Sequence, residues 1–173
     1  SDMRFLHSTL ATALSILAFA NVMETLASPP VGGVCNPNAP PGNLEKRQQE
    51  ALADFARLFL AQKNVQAAFD KYIPGQYIQH SPAVAQSGRQ VALDFLIPSL
   101  ADPGFSTSNL KAFAGEGYGI LHYKMNLFGG LGATGGISLA VADIFRFQGT
   151  CIVEHWDVLQ QIQGNEANPI AFF

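Results

Sequence analysis

Apolar residues recur at helical spacing in the first half of the chain and alternate with polar ones in the second. From Asn43, a residue type suited to an N-cap, Leu52, Phe55, Leu58 and Phe59 fall three and four apart through LEKRQQEALADFARLFLAQ, which predicts one helix over 44–62. Val65, Ala68, Phe69 and Tyr72 carry the pattern into a second, short helix after the Lys63-Asn64 break, and Pro74-Gly75 ends it. A third helix fits Arg89–Leu100, and Pro98 predicts an early end because it restricts Ile97. The period then drops to two. Asn109–Ala114, Tyr118–Phe128, Ile137–Gln148 and Cys151–Gln160 read as strands with Gly-rich turns between them. Helices first and consecutive strands afterwards predict an α+β fold with an antiparallel sheet.

The last turn sets which side chains share a face. Gly149-Thr150, between Gln148 and Cys151, suits a two-residue hairpin, and Gly at its first position fits type II′. Pairing Gln148 with Cys151 places Phe145 opposite Glu154 and Asp143 opposite Trp156. Val141, Asp143, Phe145, Glu154, Trp156 and Val158 then share one face. A three-residue loop would shift the register and pair Asp143 with His155 instead. With the two-residue turn, His155 and Asp157 point the other way, beside Cys151, Val153 and Leu159 and the neighbouring strand's Ala140, Ala142, Ile144 and Arg146. A face so mixed in aliphatic and polar groups predicts the contact of a homodimer.

Asp143 stands out in a strand of Val, Ala, Ile and Phe. A carboxylate there loses hydration and is placed to add or remove a proton next to a carbonyl, with Trp156 as an apolar wall. His80 lies just past the second helix in YIQHSP. His122 shares a strand face with Tyr118, Ile120, Lys124 and Asn126, which reads either as a polar cavity wall or as the solvent side. No HxxxH, HxH or CxxC spacing is present, so no metal site is predicted, and no Ser-His-Asp order or nucleophile elbow is seen. The turn GGLGATGG (129–136) contains Gly130-x-Gly132-x-x-Gly135. The dinucleotide fingerprint needs a helix after its glycines, whereas ISLAVADIF reads as a strand, so a hairpin loop is predicted. Proton chemistry without a cofactor is what these residues leave open.

Composition narrows the picture further. The chain is 48% hydrophobic and 13% charged with a net charge of −3, which suits one domain with a substantial core and argues against a nucleic-acid partner. Thirteen Phe residues predict a core or cavity built largely from them. Met3-Arg4, the apolar run LATALSILAFANVM (10–23) and Thr25-Leu26-Ala27 read as a secretion signal, or alternatively as an N-terminal helix that stays on the protein. The run is too short for a membrane span. Ser1 and Asp2, ahead of Met3, read as residues left by cloning. The organisation is therefore a segment 1–28, a Pro/Gly-rich connector 29–42 and a domain 43–173. Cys35 and Cys151 would form one disulfide in an oxidising compartment and remain two thiols in the cytosol.

YIQHSP (77–82), SGRQVALDFL (87–96), AVADIFRF (140–147), IVEHWDVLQ (152–160) and the closing NPIAFF together resemble the SnoaL-like polyketide cyclase family. That family lies in the NTF2-like superfamily, with ketosteroid isomerases and scytalone dehydratases. The likeness covers about residues 45–173. It implies a cone-shaped α+β barrel, a curved antiparallel sheet around helices with a cavity at one end, and sheet-to-sheet dimers. It also implies that Asp143 is the acid/base and that His80 lines the pocket. His122 matches the family's strand pattern, but Lys124 in LHYK (121–124) departs from it, as does the Gly-Thr turn. The N-terminal segment looks more like that of fungal members, some of them in natural-product pathways. The expected activity is cofactor-free cyclisation, isomerisation or dehydration of a small apolar carbonyl compound; the alternative is a non-catalytic small-molecule binding protein. Expected site residues are Asp143, His80 and His122 for catalysis, with Trp156, Glu154, Phe145, Tyr77, Tyr118 and Lys124 against the substrate.

Overall fold

The computed structural model describes residues 35–173, so the segment 1–28 and the first part of the connector lie outside the described residues. Three helices pack on one face of a five-stranded sheet. The first, α1 (Leu44–Ala56), continues into a wide π-turn over Arg57–Ala61, where Gln62 N–H donates to Arg57 O at 2.9 Å. The helix predicted over 44–62 therefore exists, but it changes pitch in its last turn. Asn43 precedes α1 in the left-handed region and its side chain makes no capping bond. The capping asparagine is Asn64, whose Oδ1 accepts from Ala67 N–H at the start of α2 (Val65–Tyr72). Helix α3 (Arg89–Ala101) runs straight through Pro98. Pro98 is exposed while Leu100, beyond it, is buried in the core, and Ser99 Oγ donates to Phe95 O; packing past the proline outweighs the lost backbone donor.

The strands are β1 (Ile78–Gln79), β2 (Ser106–Gly115), β3 (Tyr118–Leu127), β4 (Ile137–Gln148) and β5 (Cys151–Gln161), in the order β1-β5-β4-β3-β2. Strands β2 to β5 form an antiparallel meander, and β1 pairs parallel with β5. The sheet is thus mixed and open, where the sequence predicts an antiparallel one. Two residues are too few for an alternating pattern to show β1. In β2, Asn109 and Leu110 bulge opposite β3, with Asn109 at a φ of 56°.

Leu52, Phe55, Phe69, Leu93, Leu121, Val141 and Ile152 are fully buried between the helices and the inner face of the sheet. Gly119 leaves room there: a Cβ on it would lie 2.9 Å from side-chain atoms of both Leu52 and Phe147, which would have to shift. The N-terminal end of the described chain is fastened to the opposite hairpin. Cys35 and Cys151 form a disulfide, Asn36 N–H donates to Thr150 Oγ1 at 2.8 Å, and Thr150 N–H donates to Asn36 O at 2.9 Å. Among the described residues no helix is long and apolar enough to cross a membrane.

The β4–β5 hairpin has the predicted turn. Gln148 pairs with Cys151, and Gly149 takes a positive φ of 57° as a type II′ first position requires. Two steps further the register slips: Phe147 pairs with Ile152 but Arg146 pairs with Glu154, leaving Val153 as a bulge. From there onward Phe145 faces His155, Ile144 faces Trp156 and Asp143 faces Asp157. One extra residue exchanges the two faces of β5.

Candidate active site

Between the inner face of the sheet and the helices lies a cavity of about 530 Å³. Its walls are mostly apolar, with Phe55, Phe59, Phe69 and Phe145 deep inside and Phe95 and Phe128 more exposed. Its polar groups converge from β1, β3, β4 and β5. Asp143, 5% exposed, accepts a hydrogen bond at Oδ2 from Tyr123 Oη (2.9 Å), and its Oδ1 lies 3.2 Å from His155 Nε2. His155, 8% exposed, meets Gln79 Oε1 through Nδ1 at 2.7 Å. Gln79 Oε1 also accepts from Ser81 N–H at 2.9 Å.

This last bond decides the tautomer. A backbone N–H can only donate, so the Gln79 atom it meets is the oxygen, and His155 Nδ1 must carry a proton to donate to the same oxygen. Nε2 therefore either offers its lone pair to the cavity or is protonated as well. Its 3.2 Å contact with Asp143 Oδ1 requires one proton between the two atoms. Tyr77 stacks on His155 with ring centroids 6.5 Å apart. Burial, with Asp143 and Asp157 nearby, holds the Tyr77 hydroxyl well above its ordinary pKa; burial and Asp143 do the same to Tyr123. Both phenols are thus neutral donors. Among the described residues Asp143, His155 and Asp157 bring their ligand atoms within 4.8 Å of one another, close enough to hold a metal ion.

No family model matches the chain, and a search of curated proteins finds no match. Solved structures do match. AclR of Streptomyces galilaeus, a proposed hydroxylase, is 16% identical with a TM-score of 0.53, over 67% of this chain and 90% of that one. An NTF2-like protein of Anabaena variabilis is 18% identical with a TM-score of 0.52, over 68% and 90%. A proposed polyketide cyclase of Silicibacter is 12% identical with a TM-score of 0.51, over 69% and 92%. This chain has the NTF2-like fold.

Within that fold the structure sorts the predicted residues into two groups. Asp143, Phe145 and Tyr77 line the cavity as predicted. Trp156 and Glu154 do not: the Val153 bulge turns them to the outer face and brings His155 and Asp157 inward. His80 is also outside. It stacks on Trp156 with centroids 4.9 Å apart and planes 2° from parallel, and its Nε2 lies 2.8 Å from Glu154 Oε1. His80 and Arg146, both bonded to Glu154, hold that carboxyl below its ordinary pKa. His122 and Lys124 lie on the solvent side of β3, with His122 stacked on Phe173, and Tyr118 is exposed beside Trp156. Alternation along β3 placed these three together; the buried partners Leu121 and Tyr123 show that theirs is the outer face. Sequence reasoning missed Gln79 and Tyr123, and it placed His155 and Asp157 on the wrong face. Tyr123 was legible in principle, because it alternates with His122 in a strand with one buried face.

Proposed function

We propose that the protein is an enzyme that moves protons on a small, largely apolar carbonyl compound by general acid/base catalysis, with no cofactor. The observation that carries this reading is the Asp143 carboxyl in the wall of an apolar cavity, with Tyr123 on one oxygen and His155 on the other. The proton shared by Asp143 and His155 can pass to a substrate carbonyl oxygen. The water-poor surroundings strengthen each of these hydrogen bonds as charge develops. Enolisation, which proton delivery to the carbonyl assists, is common to cyclisation, isomerisation and dehydration of such compounds. The cyclase and hydroxylase names of the structural neighbours support a reactive cavity, and a natural-product intermediate is the substrate class we assign to it. The Cys35–Cys151 bridge supports passage through an oxidising, secretory compartment.

The test uses 2-tetralone, a bicyclic apolar ketone with acidic α-protons, in D2O. Wild-type protein is expected to accelerate α-proton exchange followed by NMR, and Asp143→Asn to lose about 10²–10⁴-fold of that rate. Exchange no faster with wild-type protein than with buffer overturns the reading.

A further inference from the structure

Asp157 is the cavity carboxylate whose Oδ1 has no partner. It sits directly across β4–β5 from Asp143, and both line the same apolar cavity. Asp143 has Tyr123 and His155, and His155 has Gln79. Asp157 Oδ1, by contrast, is shut off from water and has no hydrogen-bond partner among the described residues. A buried acceptor left without a donor is costly and calls for an explanation. A carboxylate that the fold leaves without a donor is free to serve a ligand, and Asp157 lines the cavity; the oxygen that can reach a ligand is Oδ2, since Oδ1 has almost no accessible surface. We propose that Asp157 is a second catalytic carboxylate, the base that takes the substrate proton, while the Asp143–His155 pair supplies a proton to the carbonyl oxygen.

The proposal rests on the acid/base reading above and divides its labour. Asp157 removes a proton from the carbon next to the carbonyl, so a C–H bond breaks and an O–H bond forms on the carboxylate. The C–H electron pair becomes the C=C bond of an enol, and the C=O π pair takes up the proton shared by His155 Nε2 and Asp143 Oδ1. Return of the Asp157 proton to carbon, and of the enol proton to the pair, restores both stations. The division follows from the geometry. Asp143 is held by two partners and cannot turn toward a carbon acid without giving up one of them, whereas Asp157 Oδ1 has none to lose. The ligand class follows too: an apolar ketone able to set its oxygen toward His155 and its acidic carbon toward Asp157, with the two groups no more than 4.8 Å apart.

The same 2-tetralone exchange assay tests it with Asp157→Asn and, should that variant fold poorly, Asp157→Leu, which matches its neighbour Leu159. The expected result is a loss of about 10²–10⁴-fold in exchange with no fall in Tm, because Asp157 Oδ1 makes no hydrogen bond whose loss would weaken the fold. Wild-type exchange in either folded variant, with Asp143→Asn still impaired, overturns the role of Asp157 and leaves the acid/base reading standing. Wild-type protein that does not accelerate exchange overturns both.

Discussion

The amide of Gln79 is fixed by a backbone donor, since Ser81 N–H accepts nothing and must meet an oxygen. Gln79→Leu would leave two buried donors, Ser81 N–H and His155 Nδ1–H, without an acceptor. At about 1–3 kcal/mol for each, urea unfolding should show a loss of roughly 2–6 kcal/mol, and 2-tetralone exchange should fall with it. A second residue-scale case lies outside the cavity. Asp54 is 8% exposed and accepts from Lys71 (2.8 Å), Tyr72 (2.7 Å) and Arg57 (2.6 Å). Burial pushes its carboxyl up, but the three donors outweigh burial and hold it at about 2, against 3.8 when free. The folded value is the lower one, so the contribution is fully present above pH 3.8 and is lost as pH falls from there toward 2. Allowing for solvent at Arg57, it is of order 1–2 kcal/mol. Unfolding free energies from urea titration at pH 5 and pH 2.5 should differ less in Asp54→Asn than in wild type, by about that amount.

At the scale of elements, the β4–β5 hairpin carries both the site and its clamp. The disulfide closes a loop with a sequence separation of 116 residues and holds a Pro-rich segment that otherwise meets the hairpin through Asn36 and Thr150. Reduction, or the pair Cys35→Ser and Cys151→Ser, should cost about 2–4 kcal/mol of stability. Thiol titration after denaturation without reductant should find neither Cys35 nor Cys151 free. The hairpin also shows how far local signals reach. Its turn was legible from Gly149-Thr150, because turn chemistry depends on neighbouring residues. Its bulge was not, because Val153 is an ordinary strand residue and is extruded only where Phe147 and Ile152 pair in the core.

For the whole molecule, the outer face of the sheet is the surface still to be accounted for. Cross-strand pairing lines up Phe113, Ile120, Ile144 and Trp156 over β2, β3, β4 and β5, with Val158 beside them; Phe113 is 56% and Val158 61% exposed. The dimer face expected from sequence keeps Ala140, Ala142, Ile144 and Arg146. It exchanges His155, Asp157 and Leu159 for Glu154, Trp156 and Val158, because the bulge reverses β5. Such an apolar row suits a closed two-fold contact, so light scattering at micromolar concentration should give twice the 18.5 kDa chain mass. Ile144→Lys should return it to one chain mass, and a dimer surviving that change would place the contact elsewhere.

Taken alone, the sequence determined the order of the three helices and the four long strands, the hairpin turn and the presence of a carboxylate at Asp143 in an apolar strand. These rest on periodicity and on residues next to one another in the chain. Which side chains reach the cavity was decided by tertiary structure. Alternation says that Glu154 and Trp156 share one face and His155 and Asp157 the other, but it carries no sign. The sign was set by one bulged residue and by the pairing of β1 with β5, which brings Gln79 to His155 from 76 positions away. In the observed register His155 buries with a partner for each ring nitrogen, and Glu154 keeps His80 and Arg146 on the outer face.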